Sequence, residues 1–291
     1  MMTLVYLMIN GLQIGSIYSL VALGYSMVYG IVKLVNFAHG DIIMVGAYST
    51  WYLMSHFSVP AWIAALASVV ICSVLGMLIE KIAYKPLRKS GRLSLLVTAI
   101  GVSLLLQNVV QLLFSANPRM FANMFTGTVT VGERQFSNAT TVTIAVSIAI
   151  MAGLTLLVKK TKIGKAMRTV SEDNETAQLM GINVNNTISF TFALGSGLAA
   201  VGAIFYCCSY SQIQPTMGSM LGLKAFVAAV LGGIGSLPGA MTGGLCIGIA
   251  ESLTKGYISS QLTDAVVFGI LIVVLLVKPS GIFGRPQSEK V

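Results

Sequence analysis

Nine mostly apolar stretches fill this 291-residue chain, at 5–32, 36–56, 60–80, 93–114, 141–158, 187–210, 219–234, 237–256 and 264–278. A helix needs about 20 apolar residues to cross a bilayer. Three of the stretches are irregular. The second opens on Asn36, His39 and Asp41, and the seventh and eighth are separated only by Gly235 and Ser236. Broken or re-entrant helices are tolerated where protein buries their backbone. The pattern therefore predicts an all-α polytopic membrane protein with eight or nine spans, some broken or re-entrant.

Only 9% of the residues are charged, against about 25% in an average soluble domain. So little charge cannot cover a water-facing surface. No polar stretch is long enough for a second, soluble domain, so 1–291 is expected to be a single transmembrane domain. The net charge of +9 does not point to nucleic acid, because the cations lie between apolar stretches. Cys72, Cys207, Cys208 and Cys246 all fall inside apolar stretches, without metal or redox spacing. The N-terminus lacks the charged start and cleavage site of a signal peptide. Residues 1–32 are expected to stay as a first span.

Lysine and arginine set the orientation. One linker carries Lys81, Lys85, Arg88, Lys89 and Arg92, and a second carries Lys159, Lys160, Lys162, Lys165 and Arg168. The tail carries Lys278, Arg285 and Lys290, whereas loop 115–140 holds only Arg119, Arg134 and Glu133. The positive-inside rule places both basic linkers and the C-terminus in the cytoplasm, and loop 115–140 outside. The side of the N-terminus stays open. Small residues recur at four-residue spacing, as Gly11 and Gly15, Gly235, Gly239 and Gly243, and Gly244 and Gly248. Such spacing lets helix backbones approach closely in lipid.

Enzyme signatures are missing. There are two histidines and nine carboxylates, with no HExxH, GxSxG or GxxxxGK[ST]. Any ATP hydrolysis must belong to a partner. Ionisable residues within apolar stretches are few, and such residues default to function. Lys224 is expected to snorkel to an interface. Glu251 has Lys255 one turn later as a partner. His39 and Asp41 are equally suited to a transport pathway and to a helix start, where Asn36 or Asp41 could cap by accepting backbone N–H bonds.

The polar run 162–183 is the most informative. Ser171, Glu175, Ala177, Leu179 and Met180 suggest a short amphipathic helix from about 171 to 180, ended by Gly181. Such a helix suits docking into a groove of another protein. Composition alone fits an ordinary solvated linker at least as well.

The spelling of this run resembles the cytoplasmic coupling loop of bacterial ATP-binding-cassette importer permeases. Gly164, Ala166, Arg168, Glu172-Asp173, Ala177 and Met180-Gly181-Ile182 look like the branched-chain amino acid permease family. Gly24-Tyr25-Ser26-Met27-Val28-Tyr29-Gly30, then Asn36-Phe37-Ala38-His39-Gly40-Asp41, agree. So do Lys224-Ala225-Phe226, Ala229–Ala240 and Pro279–Pro286. The resemblance covers nearly the whole chain and is similar to the LivH-type permeases of that family. It implies an ATP-driven importer of leucine, isoleucine or valine. A paralogous permease subunit, two ATP-binding-cassette ATPase subunits and a periplasmic binding protein would be its partners, in the bacterial inner membrane. The chain itself would hold no cofactor, ATP being bound by the ATPase subunits. Gly164, Arg168, Glu172, Asp173, Ala177 and Gly181, in a coupling loop over 159–186, would receive the ATPase motion. Polarity and helix-breaking potential nominate Asn36, His39, Gly232, Gly235 and Gly239 for the translocation pathway. A permease for urea or short amides is the nearest alternative. An ion-coupled secondary transporter would want inverted repeats and a carboxylate relay, and neither is evident.

Overall fold

The computed structural model describes residues 2–88, 90–131 and 134–284. Lys89, Glu133, Arg285, Pro286 and Lys290, which entered the sequence reading, lie outside the described residues. Each apolar stretch forms one helix: α1 (Met2–Val32), α2 (His39–His56), α3 (Ala61–Ile79), α4 (Arg92–Phe114), α5 (Asn138–Lys160), α8 (Val184–Tyr210), α9 (Met217–Gly232), α10 (Leu237–Tyr257) and α11 (Thr263–Val277). A π-helical turn, Glu80–Tyr84, continues α3. Two further helices, α6 (Lys162–Glu172) and α7 (Asn174–Leu179), lie in the polar run. Among the described residues, α1, α3 with its π turn, α4, α5 and α8 are long and apolar enough to cross a membrane, and α9 and α11 are shorter apolar helices.

The longest helix, α1, is the axis of the bundle. It packs along α10 and also against α8, α9 and α5, while α8 is shared with α2 and α3. Gly11 and Gly15 of α1 face Gly248, Ile249 and Leu245 of α10. A Cβ at Gly15 would stand 2.8 Å from the Leu245 Cα, so only glycine permits this approach. Two hydroxyls tie the same helices: Ser19 donates to the Met241 carbonyl at 2.8 Å, and Ser252 to the Leu7 carbonyl at 2.7 Å. The packing role expected for these small residues is what the fold uses. On the outer rim of the bundle, α4 exposes Leu105, Leu112 and Leu113, as suits lipid or another apolar surface.

The elements sort onto two sides. Tyr29 and Lys33 at the end of α1 share a cavity wall with the end of α5, with α6 and with the α9–α10 turn. Arg88 reaches Asn185 at the start of α8 (2.8 Å), so both basic linkers lie on this side. Tyr6 near the start of α1 stacks at 5.4 Å on Phe136 of loop 115–137. The N-terminus therefore lies on the side opposite the basic linkers, a point the charges left open. That loop holds short strands not foreseen from the sequence. A hairpin pairs β2 (Thr128–Val131) with β3 (Arg134–Ser137), and β1 (Arg119–Met120) pairs antiparallel with β4 (Gln212–Ile213) beyond α8.

Candidate functional site

The polar run folds as two helices rather than one. In α6, Gly164, Met167 and Val170 recur every three residues and are buried, whereas Lys162, Lys165 and Arg168 are exposed. The Thr161 hydroxyl caps the helix, accepting the Gly164 N–H at 3.0 Å. Gly164 lies against the backbone of Leu157 and Val158, where a side chain has no room. The expected start at Ser171 is corrected, because Ser171 completes α6. Asp173 breaks the chain in an extended conformation, and its carboxylate accepts the N–H groups of Glu175 (2.9 Å) and Thr176 (3.4 Å). This is N-capping, which offers the next helix a better start than continuation. Gly181 ends α7 with φ +78°, and the Ile182 N–H returns to the Ala177 carbonyl at 3.0 Å, closing a left-handed glycine cap.

Their burial divides these residues by role. Ala177 is fully buried against the rest of the chain and seats α7, while Glu172 and Asp173 are exposed. Leu179 and Met180 are 88% and 72% exposed. Two large apolar side chains are thus held out from a capped helix.

The glycine-rich turn between α9 and α10 is tightly packed. Gly232 and Gly239 press backbone to backbone, with no space for a Cβ on either. The C-terminal segment straps across this turn, with Ile282 and Phe283 N–H groups donating to the Leu231 and Gly232 carbonyls at 2.9 Å. Gly235 (φ +90°) borders a cavity of about 530 Å³ on the basic side, together with Lys159 and Arg168.

Asn36 and His39 lie inside the bundle. The Asn36 Oδ1 accepts from the Tyr84 hydroxyl at 2.7 Å, and His39 packs edge-on to Tyr25 with centroids 4.5 Å apart. The His39 ring also covers Gly24, so residues 33–38 fold back along α1 before α2 begins. No side chain caps α2, which corrects the capping reading for Asn36 and Asp41. Asp41 instead accepts from the Gln107 amide at 2.8 Å, and that nitrogen also lies 3.1 Å from the Ser219 hydroxyl. Gly40 meets Gly218 and Gly222 backbone to backbone, which brings the starts of α2 and α9 together. Beside them is a cleft of about 290 Å³, bordered by Asp41, Ser103 and Ser219 and by Phe37, Leu223 and Phe226. Gln107 and Ser219 were not singled out from sequence, since lone Gln and Ser residues carry no spacing signal.

Lys224 does not snorkel. It is buried, with Nζ 3.2 Å from Glu251 and 2.7 Å from Asp264 of α11. Two carboxylates within reach made pairing available, and a buried charge is tolerated when it is paired. Glu251 also takes Lys255 at 2.8 Å, as its spacing predicts, and the Tyr18 hydroxyl at 2.5 Å. The fully buried Glu80 pairs with Arg88 and accepts from Ser189 at 2.5 Å.

An apolar bundle with five helices long and apolar enough to cross a bilayer, among the described residues, has the architecture of an integral membrane protein. The chain belongs to the family described as branched-chain amino acid transport system / permease component, which residues 7–276 match. It is 42% identical over 297 residues to the high-affinity branched-chain amino acid transport system permease protein BraD of Pseudomonas aeruginosa, covering 98% of this chain and 97% of that one. It is equally 42% identical to the protein LivH of the same description from Escherichia coli strain K12, covering 98% and 96%. A chain of the solved complex of PsaBC from Streptococcus pneumoniae with Fab shares the fold, with a TM-score of 0.50 and 16% identity over 94% of this chain and 92% of that one. As a permease component this chain is a transport subunit, not an enzyme.

Proposed function

We infer that this chain is the membrane permease of an ATP-driven importer for leucine, isoleucine and valine. The observation that carries the reading is 42% identity, over nearly the full length of both chains, to two permeases named for branched-chain amino acid transport. A paralogous permease completes the pathway, a periplasmic binding protein delivers the substrate, and two ATPase subunits bind the ATP. The α6–α7 pair, with its exposed Leu179 and Met180, receives the ATPase motion on the cytoplasmic side. The C-terminus lies on that same side. A rigid seat supports this role, because a loop that transmits rigid-body motion must be packed. Gly164, Met167, Val170 and Ala177 provide that seat.

The test is uptake of labelled leucine into proteoliposomes holding this chain with its co-purified partners, with ATP inside and the binding protein outside. Uptake that requires ATP, and that valine and isoleucine but not urea compete away, is expected. ATP hydrolysis without leucine uptake moves the substrate elsewhere, urea first. Leucine uptake that persists without ATP overturns the importer reading.

A further inference from the structure

Three carboxylates are buried among the described residues: Asp41, Glu80 and Glu251. Glu80 has Arg88, and Glu251 has Lys224 and Lys255. No ion pair joins Asp41 to a lysine or arginine of the described residues. The Asp41 residue is 2% exposed, and the bond it accepts from Gln107 comes from a neutral amide. Buried charge is costly unless it is paired, and an ionisable group at membrane depth is kept for a purpose.

The surroundings of Asp41 define what could supply the missing charge. The cleft beside it is small, at about 290 Å³, near the lower end of the ~300–1,000 Å³ typical of small-molecule sites. One wall is apolar, made by Phe37, Leu223 and Phe226, and the Ser103 and Ser219 hydroxyls lie beside the carboxylate. Among the described residues no cluster of three His, Cys, Asp or Glu could hold a metal ion. The mouth lies between α4 and α9, where Leu104 and Leu223 are 54% and 41% exposed and Ser219 is exposed too. The mouth itself is mostly leucine, with Ser219 as its polar group, and the buried carboxylate behind it suits a water-filled pathway, where intramembrane ionisable groups are usually found.

We propose that the Asp41 cleft is a substrate station in the translocation pathway, where Asp41 receives the ammonium group of a free amino acid. The Ser103 and Ser219 hydroxyls face its carboxylate, and its side chain lies on Phe37, Leu223 and Phe226. The station rests on the amino-acid importer reading above, and it separates that reading from the urea one. A neutral amide has no charge to offer Asp41, whereas an amino acid with an apolar side chain matches both walls.

The experiment places a cysteine at the mouth by Ser219→Cys. Cys246, the exposed native thiol, is replaced by serine, and the other three cysteines are buried. The complete transporter, in proteoliposomes with its ATPase and binding-protein partners, is treated with a cationic methanethiosulfonate reagent. The thiol is expected to react, and leucine under turnover to slow the reaction about threefold or more, as occupancy of a small site shields its mouth. Asp41→Asn is expected to reduce leucine uptake by about tenfold or more, through loss of a charge-assisted contact, with partial recovery in Asp41→Glu. A Ser219→Cys thiol that never reacts, or that reacts equally with and without leucine, overturns the proposal. So does wild-type uptake in Asp41→Asn. If Asp41→Asn fails to assemble, the cysteine protection decides alone. Unmutated transporter that hydrolyses ATP but takes up no leucine fails the amino-acid reading itself, before any variant is compared.

Discussion

The Nζ of Lys224 lies 3.2 Å from the Oε1 of Glu251, joining α9 to α10 inside the bundle. Glu251 also serves Lys255 and Tyr18, so it holds α1, α9 and α10 at one point. Removing Glu251 leaves Lys255 without its carboxylate and Lys224 with only the half-exposed Asp264. Glu251→Gln is expected to cost about 3–5 kcal/mol, the usual cost of breaking a buried pair. Lys224→Met should cost less, since Lys255 still neutralises Glu251 and the Asp264 carboxylate it leaves is half-exposed to solvent. Thermal unfolding in detergent checks the order, and an equal or larger loss for Lys224→Met would refute it.

The α1–α10 crossing depends on glycine. A Cβ at Gly15 has no space between the Leu245 Cα and the Gly244 carbonyl. Gly15→Val is expected to destabilise by about 1–3 kcal/mol, as overpacking does. Nothing lies within 4 Å of a Cβ added at Gly153 or Gly269. Alanine at either should be neutral or slightly stabilising, since Ala favours a helix over Gly by about 1 kcal/mol. Melting temperatures of the three variants make the comparison.

The exposed apolar edge of α7 and its seat should separate experimentally. Leu179→Asp with Met180→Asp changes two exposed side chains, so the permease should fold and melt normally while its ATPase partner no longer co-purifies. Ala177→Leu overfills a fully buried position and should unseat α7, lowering the melting temperature as well.

Glu172 and Asp173 sit at the joint between α6 and α7. Asp173→Ala removes the α7 cap, worth about 1 kcal/mol. The double change Glu172→Ala with Asp173→Ala is expected to uncouple ATP hydrolysis from uptake. Unchanged uptake together with normal assembly would sink the coupling assignment.

The two ends of the chain should label from opposite sides. Tyr6 stacks on the loop carrying Phe136, whereas the Gly284 end borders the cavity that contains Arg168. Single cysteines at Lys162 and Lys278 should react with an impermeant reagent only from the cytoplasmic face. One at Asn123 should react only from outside. Labelling of Lys162→Cys from outside would invert the arrangement.

The helices and their number came from local signals. Apolar length marked each of the nine stretches, and glycine spacing marked surfaces for close helix approach without saying which helices would meet. Gly181 was readable as a stop because a left-handed cap is a backbone requirement at a single residue. The break at Asp173 was missed because Ser171 and Asp173 are both plausible caps, and only the packing of Met167 and Val170 onto the bundle fixes where α6 ends. Lys224 was misplaced for a similar reason. A lysine near the start of an apolar stretch snorkels if water is near, and pairs if a carboxylate is nearer.

By itself, the sequence determined that the chain is a membrane bundle, which linkers share a side, where its polar projection lies, and that Glu251 has Lys255 within reach. These follow from composition and from spacings of a few residues. Only the tertiary structure decided that Asp41 meets Gln107, 66 positions away, that Lys224 meets Glu251 and Asp264, and that Gly232 closes on Gly239. Those pairings are set by how helices cross, and crossing depends on the combined shape of many side chains, which no local pattern records.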